Sequence, residues 1–130
     1  MIFSLLIYAS QNSGQAEQTA LRFSRSALSQ GHKIHRVFFY GETVSAISNL
    51  KITPRDEIDI TRQWLELAAS DNLDLVVCIA AAVRRGVLDQ QECDRHNRVA
   101  ANLVAGFNLS GLGQLADAIL SSDRLLTFGN

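Results

Sequence analysis

Cys78 and the arginines that follow it, Arg84 and Arg85, are the residues of this chain best suited to chemistry. Cys78 closes the run Leu73-Asp74-Leu75-Val76-Val77-Cys78 and opens Ile79-Ala80-Ala81-Ala82-Val83-Arg84-Arg85-Gly86. The first half, short and rich in branched side chains, reads as a buried strand. The second half reads as a helical turn, because alanine costs little in a helix and Gly86 is a natural stop. A thiol at that junction faces the positive end of a helix dipole, a setting that favours thiolate, the form of cysteine that does chemistry. Arg84 and Arg85 can stabilise negative charge or dock an acidic partner; the plain alternative is a solvated helix end, where cations suit the dipole. The segment predicts a reactive sulfur.

Other residues compete for attention less well. Cys78 and Arg84 meet the C-x5-R spacing of cysteine phosphatases, but that chemistry needs backbone N–H groups wrapped around an anion, and Ile79-Ala80-Ala81-Ala82-Val83 is apolar and helix-prone. Gly111-Leu112-Gly113-Gln114-Leu115-Ala116 matches the relaxed dinucleotide fingerprint G-x-G-x-x-A, yet it does not follow the first strand. Those glycines are expected to let a helix start close to its neighbours. His32 and His35 lack the further ligands a metal needs and are read as surface residues. His96 is read as a packing residue or one with a satisfied hydrogen bond, and Cys93 as packing, or as a resolving thiol only if the fold brings it near Cys78. Ser13, ahead of a helix, and Tyr40, at a strand end, are candidates for lining a crevice.

The elements that must position these groups alternate between strand and helix. Ile2 to Tyr8 is strand-like, and the Ser10 to Gly14 turn leads into a helix ending near Gln30-Gly31, with Ala16, Ala20, Phe23 and Ala27 as its apolar stripe. Ile34 to Tyr40 is the second strand, and Val44, Ile47 and Leu50 suggest a short helix. Thr53-Pro54-Arg55-Asp56 reads as a helix start, with Ile60, Trp64 and Leu67 buried and an end before Asp71-Asn72. After the strand Leu75 to Cys78, Asp89 can cap a helix whose inner face is Cys93, His96, Ala100 and Leu103. Ser110 can cap another through Leu112, Leu115 and Ile119, and Leu125 to Phe128 closes the chain as a strand. Continuously apolar strands separated by helices predict a single α/β domain, a mainly parallel sheet with helices on both faces. The functional crevice of such a sheet lies beyond the carboxyl ends of its strands, where Ser10 to Gln15, Tyr40 to Glu42 and Cys78 onward should converge.

Bulk properties narrow the partners. A chain of 130 residues makes one domain with a real core, and 47% hydrophobic against 19% charged residues fits a globular protein and argues against disorder. A net charge of −1 argues against direct nucleic-acid binding, and the low charge content suggests surface buried against partner chains. The first apolar segment lacks a basic flank and is short for a signal peptide, and no segment reaches membrane-spanning length. A cytoplasmic location is expected, where cysteines persist as thiols.

Three blocks carry a family resemblance: Gly31-His32 leading to Val37-Phe38-Phe39-Tyr40; Cys78-Ile79-Ala80-Ala81-Ala82-Val83-Arg84-Arg85-Gly86-Val87; and Asn108-Leu109-Ser110-Gly111-Leu112-Gly113 followed by Ser122-Asp123-Arg124. Through them residues 1–130 resemble the DsrE/DsrF-like family, the cysteine block being the specific part. The resemblance implies a sulfurtransferase that carries sulfur as a cysteine persulfide, with Cys78 matching the family's persulfide cysteine; Cys93 inherits no role. It implies no metal or organic cofactor. It further implies assembly with sister subunits resembling TusB and TusC in a hetero-hexamer, a TusA-like donor and a TusE-like acceptor. The sulfur's destination would be 2-thiouridine at the transfer RNA wobble position. Related DsrE chains serve dissimilatory sulfur oxidation, and a structural subunit with an inert cysteine is a further alternative.

Overall fold

The computed structural model describes residues 1–9 and 15–129. Among them, strands β1 (Ile2–Ile7), β2 (Lys33–Phe39), β3 (Leu75–Cys78), β4 (Asn108–Ser110) and β5 (Arg124–Phe128) form one sheet in the order β4-β3-β2-β1-β5, every neighbouring pair parallel. Helices α1 (Gln15–Ser29), α2 (Ile60–Asp71), α3 (Ile79–Arg84), α4 (Gln90–Arg95) and α5 (Gly113–Ser121) connect the strands, with a 3-10 turn over Gly41–Ala46.

Both faces of the sheet are covered. Val37, Phe38 and Phe39 are consecutive in β2, so they point alternately to opposite faces, and all three are fully buried. The Phe39 ring meets the Trp64 indole of α2 edge-on, with centroids 5.7 Å apart. Arg36, three residues earlier and therefore facing the other way, reaches α5: its guanidinium donates to the Gln114 carbonyl at 2.9 Å and pairs with Asp117 at 2.8 Å. Thus α2 and α5 lie on opposite faces. A second pairing of Arg36, with Asp74 at 2.8 Å, fastens the lead-in to β3, and hydrogen bonds from His35 and Arg36 hold the Asp117 carboxyl below its usual range.

The predicted α/β architecture holds, and several local expectations are corrected. The helix expected from Thr53 begins instead at Ile60, because the Asp59 carboxylate takes the Arg62 N–H at 3.1 Å and caps it there. Residues 54–59 are exposed, so a longer helix would bury nothing. The segment through Val44 forms only the 3-10 turn; Ile47 is buried just past its end, and Leu50 is left exposed. The helix capped by Asp89 stops at Arg95, since Asn97 takes a left-handed φ of 54° and the Arg98 N–H returns to the Cys93 carbonyl. His96 and Ala100 are consequently exposed rather than on an inner face. Ser110 belongs to β4 rather than to a helix cap; α5 starts at Gly113 with no side-chain cap.

Candidate active site at the carboxyl edge of the sheet

Because all strands run the same way, their carboxyl ends share one edge, and the register fixes which residues leave it together. Val77 pairs with Phe39 and Phe39 with Ile7, so Cys78, Tyr40 and Tyr8 are successive members of one row; Cys78 itself pairs with Ser110 on the other side. At roughly 4.8 Å between neighbouring strands, the Tyr40 backbone lies about 5 Å from that of Cys78 and Tyr8 about 10 Å away. Tyr40 and Tyr8 are nearly half exposed. The sequence reading named Tyr40 and missed Tyr8 and Ser110, which only strand register identifies. Tyr8 is held by close approaches: its Cβ would lie 3.8 Å from a Cβ on Gly41, and its ring packs where a side chain on Gly129 would stand. Ser13 lies outside the described residues.

Cys78 ends β3 with every residue of that strand buried, and it is the N-cap of α3 with φ −60° and ψ 118°. Its side chain makes no capping hydrogen bond, and the residue is 2% exposed. The sulfur therefore sits at the junction expected from the sequence, but under cover in the isolated chain. The residues between Cys78 and Arg84 are helical, so their N–H groups do not form the open anion loop a cysteine phosphatase requires.

The arginines occupy the far end of α3, roughly 9 Å along the axis from Cys78 at 1.5 Å per residue. Gly86 ends the helix with a φ of 74°, and the Val87 N–H returns to the Ala82 carbonyl at 2.9 Å. Arg85 folds back on the same turn, donating to the Ala81 carbonyl at 3.2 Å. Arg84 instead projects to the surface and lines a cavity of about 640 Å³. The turn after Gly86 is fastened by the buried Asn102, whose amide accepts from the Leu88 N–H at 2.8 Å and donates to the Gly86 carbonyl and the Ser48 hydroxyl.

The remaining sequence candidates lie in ordinary surroundings. His32 contacts the N-terminal amine at 3.0 Å and His35 pairs with Asp117 at 3.2 Å. His96 pairs with Glu92 at 3.2 Å. Cys93 is buried, donates to the Arg98 carbonyl at 3.2 Å and is not joined to Cys78. Among the described residues no group of acids, histidines and cysteines has metal-site geometry, and no helix is long and apolar enough to cross a membrane.

One titratable group escaped the sequence reading. Glu17, in the first turn of α1, is buried and accepts the Trp64 Nε1–H at 3.2 Å. Burial pushes its carboxyl up from an ordinary 4.5 to about 7, against opposing effects of the Trp64 hydrogen bond and the charge of Lys51. The signal was its place in the stripe Glu17, Ala20, Leu21, Ser24, Ala27, which is the face α1 actually buries.

Comparison with known proteins agrees with this architecture. The model of the DsrE/DsrF-like family matches residues 1–128. A sulfurtransferase TusD homologue from Pseudomonas aeruginosa is 47% identical over 129 residues, covering 99% of this chain and 98% of that protein. The sulfurtransferase TusD of Erwinia tasmaniensis is 45% identical over 128 residues, covering 98% of this chain and 100% of its own. A protein of Allochromatium vinosum named as a candidate sulfurtransferase, DsrE, is 43% identical over 130 residues, 100% of each. The crystal structure of YchN from E. coli shares the fold, with a TM-score of 0.65 at 22% identity over 98% of this chain and 97% of that one.

Proposed function

The chain belongs to the DsrE/DsrF-like family, and on that premise we propose that Cys78 carries sulfur as a persulfide in a relay between proteins. Sulfur transfer is the activity named for its full-length relatives, and the chain is a sulfurtransferase. The observation that carries the persulfide reading is the position of Cys78, at the carboxyl end of a buried parallel strand and the N-cap of the following helix. Ligands of open α/β sheets gather at that edge.

In the proposed exchange the Cys78 thiolate attacks the outer sulfur of a donor persulfide. The bond between the donor's two sulfurs breaks, the donor leaves as a thiolate that takes a proton, and Cys78 becomes the persulfide. An acceptor thiolate then attacks the outer sulfur on Cys78, which returns to thiolate. No net oxidation occurs, so neither a metal nor an organic cofactor is needed. Because attack requires access to the sulfur, the cover over Cys78 must open when a partner binds. Tyr40, and Ser13 beyond the described residues, are proposed to line the approach. Arg84 and Arg85 are proposed to serve at the other end of α3, Arg84 in docking.

The destination proposed is 2-thiouridine at the wobble position of transfer RNA. The chain would act in the cytoplasm beside subunits resembling TusB and TusC, taking sulfur from a TusA-like protein and passing it to a TusE-like one. A second reading, a carrier in dissimilatory sulfur oxidation, is favoured by the full-length similarity to the Allochromatium vinosum protein. Disrupting the gene in its host and measuring thiolated nucleosides separates them. The first reading predicts loss of wobble 2-thiouridine, restored by the wild-type gene and not by Cys78→Ser. Unchanged thiouridine would favour the second.

A further inference from the structure

The cavity beside α3 has features that sulfur chemistry on Cys78 does not use. Its lining is mostly apolar, with Ala80 and Val83 of α3 and Leu88 among it, and it also includes the exposed Arg84 and Arg98. Among the described residues neither arginine makes an ion pair; the Arg98 guanidinium donates to the His96 carbonyl, at 2.9 Å. Unpaired guanidiniums within a mostly apolar lining are complementary to carboxylates carried on an apolar body. Around the cavity, Leu50 is 75% exposed and Val99 105%, and Ile52, close by in sequence to Leu50, is 88% exposed. Leu50 and Val99 belong to the lining and Ile52 does not, so a small ligand in the hollow would leave Ile52 in water, whereas a protein segment laid across it could cover all three.

Resting on the reading of Cys78 as a sulfur carrier, we propose that this groove docks an apolar segment bearing carboxylates, contributed by the protein that accepts sulfur from Cys78. The groove runs along α3, the helix Cys78 caps, so a segment seated there brings its own protein to the covered thiol. Arg84 and Arg98 are the recognition residues. Arg85, turned onto the Ala81 carbonyl, belongs to the helix end instead.

The test places a photo-crosslinking amino acid at Val99 in the full chain, expressed in its host, and maps any cross-linked peptide by mass spectrometry. The expected product is a protein peptide with acidic residues among apolar ones, from a protein whose thiol takes sulfur from loaded Cys78. Its yield should fall about tenfold in the double variant Arg84→Glu with Arg98→Glu, and survive Arg84→Lys with Arg98→Lys. It should also survive Cys78→Ser, because docking precedes chemistry. A neutral or basic peptide, a yield indifferent to charge reversal, a protein that accepts no sulfur, or cross-linking to small molecules alone would overturn the inference. Sulfur loading of the wild-type chain from a small-molecule polysulfide is measured alongside. That loading is read in the complex the chain forms in its host, where the cover can open: loading without the acidic cross-link sinks only the docking site, and the cross-link without loading sinks the persulfide reading.

Discussion

The Trp64 indole N–H donates to Oε1 of Glu17 across 3.2 Å, joining α2 to the first turn of α1 through a carboxyl sealed from water. The folded chain holds that carboxyl's proton more tightly than the unfolded chain does, its value being raised from 4.5 to about 7 by burial. Stability from this group is therefore fully present below about pH 4.5 and is lost as pH rises through about 7. The loss amounts to about 3 kcal/mol at most. Glu17→Gln should abolish that slope and raise the unfolding free energy at pH 8 by about 1–3 kcal/mol. Urea titrations of both proteins at pH 5 and pH 8 would check it; parallel pH dependences would refute the assignment.

Asn102 ties the end of α3 to two other segments through side-chain hydrogen bonds to Leu88, Gly86 and Ser48. Asn102→Ala leaves the buried Leu88 N–H without its partner and should cost about 2–3 kcal/mol. Chemical denaturation measures this directly, and a loss below about 0.5 kcal/mol would show that water replaces the amide at no penalty.

Tyr40 stands beside Cys78 in the edge row, yet nearly half of it is exposed. Tyr40→Ala should change the unfolding free energy by less than about 1 kcal/mol. It should slow sulfur transfer to a protein acceptor by about tenfold, through looser placement of the incoming thiol. Stopped-time assays of labelled sulfur on the acceptor provide the readout. An unchanged rate would remove Tyr40 from the approach.

Much of this was legible in the chain before the fold was known, for identifiable physical reasons. Leu75 to Cys78 announced itself as a strand because a segment buried on both faces must be continuously apolar, and the alanines after it fixed the strand-to-helix junction. β4 was invisible: three residues, one exposed and two half-buried, give no periodicity, and Ser110 looked like a cap although its backbone pairs with Cys78. Ala100 and Leu103 continued the spacing of α4 on paper, but the left-handed Asn97 ended the helix before them. Glu17 was hidden because Ala16 and Phe23 offered a rival apolar stripe one residue out of register, and only packing against Trp64 decides between the two. The row linking Tyr8, Tyr40, Cys78 and Ser110 depends on strand order, which local sequence does not encode.

The central claim is that sulfur rests on Cys78. The most direct measurement is mass spectrometry of the chain in its assembled complex, digested without reductant after incubation with a sulfane-sulfur donor. The account predicts one added sulfur atom on the peptide containing Cys78, none on the peptide containing Cys93, and no addition in Cys78→Ser. Sulfur found on Cys93, or a Cys78 peptide left unmodified in the assembled complex, would contradict it.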